Sequence, residues 1–256
     1  MAAPPTDAEL QPSKLGTKEH WDNVYSSELA NFKEIGDEGE IWFGEESVEK
    51  MVDWALEHVP PPSSSSPSSP QQHPTVLEIG SGNGTLLFAL AEAGYSPTKL
   101  CGIDYSADAV ALAKSIAEAR GGGLQDITFE ERNFLTEDIV GLAGAGSEEN
   151  TQDTASWDLV LDKGTYDAIA LGEKDEKGLS PAVGYPARAA RLLKPGGFFL
   201  ITCESCNFTE EELKASFTAE GTLEYHSRVK HRTFSFGGQS GSVVCTVAFE
   251  KVGGSS

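Results

Sequence analysis

Ten consecutive residues, Val76-Leu77-Glu78-Ile79-Gly80-Ser81-Gly82-Asn83-Gly84-Thr85, constrain this chain more than any other stretch. An apolar run that stops at alternating glycines, then resumes with Leu86, Leu87 and Leu90 at helical spacing, reads as strand, tight turn and helix. Glycine lets a backbone approach a ligand closely, and the free N–H groups of the following helix favour a carboxylate or phosphate. The stretch is a cradle for a nucleotide-like ligand.

Downstream, strand and helix patterns alternate. Residues 99–103 form a short strand ending at Asp104, and 107–120 an alanine-rich helix that Ser106 can cap. Residues 127–129 lead to Asn133 and Phe134, and 137–142 suggest a helical turn. Residues 157–161 are a buried strand running into Asp162-Lys163-Gly164-Thr165-Tyr166. A helix over 181–193 stops at Lys194-Pro195-Gly196-Gly197, residues 198–202 are a strand, and Thr209 with Glu212 opens a helix through a capping box. Residues 223–236 and 242–252 alternate around a glycine-rich turn as an antiparallel hairpin. The pattern implies an α/β fold, a doubly wound and mostly parallel sheet with an antiparallel edge, whose ligand sits beyond the carboxyl ends of the strands.

Before the glycine stretch, residues 1–13 are expected to be disordered and 14–252 to form a single domain. Its first part, 14–59, holds a helix over 17–32, a glycine-flexed aromatic segment over 36–45 that can close as a lid, and an amphipathic helix over 46–59. Residues 60–74 are a Pro/Ser-rich insert that cannot bury a core, and 75–252 are the core of the domain. Residues 144–155 read as a loop.

Lys and Arg total 19 against 40 Asp and Glu, a formal net charge of −21. Such a surface repels phosphate backbones and suits a basic protein or cationic small molecule, so no direct nucleic-acid binding is expected. Four cysteines do not make a disulfide framework, no basic-then-apolar leader opens the sequence, and no apolar run approaches the ~20 residues that span a bilayer. These features suggest an intracellular chain with no membrane association. Cys203 and Cys206 have C-x-x-C spacing without a second pair, and ordinary thiols are expected there with no metal.

The glycines read G-x-G-x-G, with Thr85 where a dinucleotide fingerprint needs glycine, so that fingerprint fails. Asp104 follows the last glycine by 20 residues, the offset at which a carboxylate reaches ribose hydroxyls. Together these point to one nucleoside carrying an amino-acid tail.

The run Val76–Gly84, Gly102-Ile103-Asp104, Trp157-Asp158-Leu159-Val160-Leu161-Asp162 and Leu193-Lys194-Pro195-Gly196-Gly197-Phe198 resembles the class I, seven-strand S-adenosylmethionine-dependent methyltransferases over roughly residues 75–250. That resemblance implies strand order 3-2-1-4-5-7-6 with strand 7 antiparallel. Trp21-Asp22 through Tyr25, Gly39 through Glu45, Asp162 through Ile169 and Thr202 through Thr209 narrow the likeness to the lysine methyltransferases of translation elongation factor 1-alpha. This implies a basic protein substrate, S-adenosyl-L-methionine as cofactor, and a monomeric enzyme of the cytoplasm, with the nucleus as a second compartment.

By the same resemblance, Gly80, Ser81, Gly82 and Gly84 belong to the methionyl seat and Glu78 holds its amino group. Asp104 binds the ribose, Tyr105 and Phe134 sandwich adenine, and Asn133 stands in place of an acidic residue toward the adenine amino group. Asp162 is the expected residue to orient or deprotonate the substrate amine, or else to anchor cofactor, with Tyr166 and Trp42 as walls for the lysine stem. A small-molecule methyltransferase and a non-catalytic cofactor-binding scaffold are the alternatives.

Overall fold

The computed structural model describes residues 10–62, 72–139, 142, 157–232, 234–236 and 239–253. The loop over 144–155 lies outside these, as do most of the Pro/Ser-rich insert and residues 1–9. Residues 10–13 are ordered: Ser13 N–H donates to Leu171 O at 3.0 Å, and its hydroxyl caps the 3-10 turn Lys14–Gly16.

Seven strands form one sheet: β1 (Val76–Ile79), β2 (Leu100–Asp104), β3 (Thr128–Glu131), β4 (Trp157–Lys163), β5 (Leu193–Glu204), β6 (Leu223–Val229) and, after a small ribbon of β7 (Phe234–Phe236) and β8 (Gln239–Gly241), β9 (Val244–Lys251). Their order is β3-β2-β1-β4-β5-β9-β6, with β9 antiparallel to both its neighbours. This is the expected 3-2-1-4-5-7-6 sheet, β9 being its seventh strand. The chain winds outward in both directions from the β1–β4 junction, which makes that junction the switch point.

Side chains alternate across the sheet. Leu77, Ile79, Val160, Phe199 and Ile201 face one layer, packed with Tyr166, Tyr185 and Phe217. Val76, Leu159, Leu161 and Leu200 face the other, packed with Met51, Leu87 and Leu112. Asp162 follows the parity of Val160, whereas Lys163 follows that of Leu161 and Glu78.

Helices start and stop where local chemistry dictates. Thr17 caps α1 (Lys18–Ile35), and Gly36 ends it at φ 76°. α2 (Gly44–His58) stops just before Pro60. α3 (Thr85–Glu92) leaves the glycine turn, and Ser106 caps α4 (Ala107–Arg120). α5 (Thr165–Ala170) follows β4, and the Thr209–Glu212 capping box opens α7 (Glu210–Thr218) with both reciprocal bonds.

Four local expectations change. The helix over 181–193 is a 3-10 turn, Pro181–Gly184, followed by α6 (Tyr185–Leu192), because Pro186 has no N–H to continue the preceding turn. β5 begins at Leu193 because the Lys-Pro-Gly-Gly run is absorbed as a bulge between the Trp157–Leu193 and Leu159–Phe198 pairs. Residues 137–139 are not helical: Arg188 takes the carbonyls of Phe134 and Glu137 and holds a turn there. The first hairpin arm breaks after Val229 and resumes as β7.

Candidate active site

At the β1–β4 switch point lies a cavity of about 290 Å³. Its floor is the glycine turn, Ile79 to Asn83, and one side is Ile103, Asp104 and Tyr105 at the end of β2. Arg132 to Leu135 close the far end, Lys163 to Thr165 the β4 side, and Trp21, Tyr25 and Trp42 the top.

Two glycines are required by geometry. Gly80 has φ 68°, and a Cβ there would lie 1.9 Å from Thr165 Oγ1, itself bonded to Ile79 O at 2.8 Å. Gly82 has φ 52°, and its Cβ would lie 2.5 Å from the Tyr25 hydroxyl. Any side chain would fill the cradle.

Asp104 links the turn to the next helix. Its Oδ2 accepts Gly82 N–H at 3.0 Å and its Oδ1 accepts Ser106 N–H at 2.9 Å. Burial pushes its pKa up to about 6 against the pull of those two amides and of Lys18. Each oxygen keeps a lone pair for a ligand hydroxyl.

Glu78 sits one residue before the lining stretch. It is buried, and its Oε2 has no hydrogen-bond partner. An unpaired buried carboxylate oxygen is costly, and burial raises its pKa despite the positive charge of Lys163. Ser81 Oγ is likewise buried without a partner. The donor set fits a nucleoside bearing an amino-acid tail: Asp104 for paired hydroxyls, Glu78 for an ammonium, and turn amides for a carboxylate.

Beyond Asp104, Tyr105 lines the cavity with Lys18 Nζ 5.2 Å above its ring. Phe134 also lines it, while its ring packs 4.6 Å from Tyr185, so its core and wall roles coincide. Asn133 lines the same end, but its Oδ1 already accepts Leu135 N–H at 3.0 Å. One lone pair remains for a ligand amino group.

Besides Glu78, three expected site residues do not border the cavity. Asp162 is fully enclosed on the opposite face of the sheet. Its carboxylate accepts Thr165 N–H at 2.8 Å, Tyr166 N–H at 3.0 Å and the Tyr185 hydroxyl, and it does not border the cavity. It caps α5 instead of facing an amine, because the two helix amides and the Tyr185 hydroxyl occupy its carboxylate. The Tyr166 ring packs against Tyr185, Phe208 and Phe217 at 4.8 to 5.2 Å and is not a wall of the lysine entry. Gly84 supports α3, where a Cβ would press within 2.9 Å of Phe129.

Trp42 lines the cavity, together with Glu40 of the segment 36–45. Asn83 Nδ2 donates to Glu38 O at 3.0 Å, and Glu40 N–H donates to Glu28 Oε1 at 3.1 Å. Trp21 packs edge-on to Trp42 at 4.7 Å, with its indole N–H on Leu15 O at 2.7 Å. The first helix is thus both packed and ligand-facing.

The sequence offers Asn83 and Lys163 only as members of strand-end candidate groups, with no role of their own, and places Tyr25 on the core; all three line the cavity. Counting strand parity from Glu78 across to β4 finds Lys163; Tyr25 and Asn83 carry no comparable local signal. Cys203 is buried and Cys206 exposed, both as free thiols. Among the described residues, no cluster of three or more His, Cys, Asp or Glu could hold a metal, and no helix is long and apolar enough to cross a membrane.

The buried carboxylates make a pH prediction. Desolvation raises Asp162 and Asp167 to about 7 and Asp104 to about 6, and raises Glu78 as well. Folded values above unfolded ones mean that the native chain holds more protons, so stability falls as pH rises between about 4 and 7. In calorimetry without cofactor, the thermal midpoint is expected to be higher at about pH 5.5, inside that window, than at about pH 8, above it. An equal or rising midpoint contradicts the burial of ionisable carboxylates.

Residues 70–246 match the methyltransferase domain family. Sheet and cavity thus belong to a methyltransferase. Protein-lysine N-methyltransferase efm4 of Schizosaccharomyces pombe is 41% identical over 94% of this chain and 95% of its own length. Human EEF1A lysine methyltransferase 2 is 40% identical over 97% of this chain and 91% of its own. The chain belongs to this family of protein-lysine N-methyltransferases. Magnesium protoporphyrin IX methyltransferase from Synechocystis, solved with bound SAM, shares the fold with a TM-score of 0.57 at 16% identity, over 98% of this chain and 99% of that one.

Proposed function

We propose that this enzyme transfers a methyl group from S-adenosyl-L-methionine to the side-chain amine of a lysine in translation elongation factor 1-alpha. The observation that carries the reading is the unpartnered Glu78 oxygen on the strand that leads into the glycine turn, at a cavity whose other side presents Asp104. When bound, S-adenosylmethionine supplies an electrophilic methyl carbon on a cationic sulfonium. Glu78 holds the amino group, the Gly80 and Gly82 stretch leaves room for the tail, and Asp104 accepts from the ribose. Tyr105 and Phe134 flank the base, and Asn133 accepts from its amino group.

A lysine of pKa ~10.4 is protonated at neutral pH, a handicap of about 4.6 kcal/mol. The indoles of Trp21 and Trp42 strip water from the entering amine and lower that value, so orientation and desolvation supply much of the rate. Trp42 lies along the lysine stem; no side chain on the cavity wall needs to act as a dedicated base. Glu40 and Glu173 on the wall, with a net charge of −21 overall, suit a basic substrate. The reading carries with it a monomeric, cytosolic enzyme that binds neither nucleic acid nor membrane.

With methyl-labelled S-adenosylmethionine, the purified chain should label one protein of a cell extract on lysine. Label confined to the low-mass fraction would favour a small-molecule acceptor, and binding of cofactor without any label would favour a non-catalytic scaffold.

A further inference from the structure

We propose that Lys163 is a positioning residue that clasps the aromatic lid to the carboxyl end of β4 and so sets Trp42 over the methyl-donor cavity. The inference rests on the methyl-transfer reading above. It starts from strand parity. Glu78 is in register with Leu161, so Lys163, two residues on, projects from the same face as Glu78 and toward the cavity it lines.

Lys163 Nζ donates to the Trp42 carbonyl at 3.2 Å. Next to it, the Phe43 ring covers Gly164 so closely that a Cβ there would lie 2.9 Å from the ring. Among the described residues Phe43 is the one non-glycine with positive φ, 62°, and Gly44 follows at 74°. A bulky side chain in that region is strained and persists only when surrounding contacts over-determine it. The Lys163 bond and the Gly164 contact are the contacts that do so on the β4 side.

The lid's other end is fixed independently. Asn83, in the glycine turn, donates to the carbonyls of Glu38 and Glu40 at 3.0 and 3.4 Å. The strap therefore spans the switch point, pinned on one side by the β1 turn and on the other by the end of β4. Burial lowers the pKa of Lys163, while Glu78 and Asp162 oppose that shift.

The test is hydrogen exchange on the full chain, with and without S-adenosylmethionine, for Lys163→Met and Lys163→Arg. Loss of the charge-assisted bond in Lys163→Met should speed exchange over residues 40–44 by roughly tenfold or more, with β1, β4 and β5 unchanged. Turnover on the protein substrate should fall by about tenfold, while the cofactor Kd moves less than about threefold, since Lys163 orients the lid without holding the ligand. Lys163→Arg, which keeps charge and donor, should recover most of both. Unchanged lid exchange in Lys163→Met overturns the proposal. So does a uniform rise through the sheet, which would assign Lys163 to fold stability, or equal loss in both variants. Failure of the unaltered chain to bind S-adenosylmethionine would instead strike the methyl-transfer reading, and calorimetry separates the two.

Discussion

Asp104→Ala is expected to weaken S-adenosylmethionine binding by about a thousandfold. Two ribose hydroxyls on one carboxylate are charge-assisted bonds of roughly 1.5–3 kcal/mol each, and losing both multiplies the Kd by about 10² to 10⁴. A further loss follows from the turn. Gly82 N–H is held by Asp104 Oδ2 and Ser106 N–H by Oδ1, so alanine frees two amides and loosens the glycine turn. Asp104→Asn keeps one acceptor oxygen but turns the other into an NH2 donor set against a backbone N–H, so it should recover only part of the loss, with affinity down by about a hundredfold. Titration calorimetry decides the matter. A Kd for the alanine variant within about threefold of the unaltered chain would remove Asp104 from the cofactor site, since no ribose bond is that weak.

The second large effect separates a catalytic acid from a structural one. Asp162→Ala leaves Thr165 N–H, Tyr166 N–H and the Tyr185 hydroxyl without their buried acceptor. At about 1–3 kcal/mol per unsatisfied group, the fold should lose about 3 kcal/mol or more. Asp162→Asn retains an amide oxygen for both helix amides and is neutral at a site where burial already raises the carboxyl to about 7. It should fold within about 1 kcal/mol of the unaltered chain and keep most of its turnover. Urea denaturation together with kcat reads both. If Asp162→Asn folds normally yet loses turnover by about a hundredfold or more, Asp162 acts on the substrate amine and its enclosure here misleads.

Why one site residue was legible in sequence and its neighbour was not follows from periodicity. Asp104 stands out because the offset from the glycines is set by one helix and one strand, and an acid at a parallel strand's end has few other uses. The start of the sheet is legible because its first strands are short apolar runs bounded by a glycine turn or a cap, as in Val76–Ile79 with Gly80 and Leu100–Asp104 with the Ser106 cap. At the end of β4, Asp162 and Lys163 both carry charge and both follow a continuous apolar run. In a strand buried on both faces the run shows no alternation, so nothing local reveals which residue faces the ligand. Only the pairing of β4 with β1, a long-range fact, puts Lys163 beside Glu78 and Asp162 beneath α5. Tyr166 fails for a related reason: two residues after Gly164, at the second position of α5, it points into the core. The break at Tyr185 was marked by Pro186, whose cost is tolerable only in a first turn.

The helix that brings Tyr25 to the glycine turn belongs to the same class of long-range fact. Its apolar stripe predicts burial, yet Trp21 and Tyr25 are buried against a ligand cavity as well as against protein. Aromatic residues serve both ends because one face can pack while the edge or hydroxyl remains available.

The most direct measurement is mass spectrometry of purified elongation factor 1-alpha, unmethylated at the outset, after incubation with this enzyme and S-adenosylmethionine. One lysine peptide is expected to gain the mass of a methyl substitution, with the gain lost in Asp104→Ala. A factor that emerges unchanged at every lysine while the enzyme demonstrably binds S-adenosylmethionine would contradict that choice of substrate.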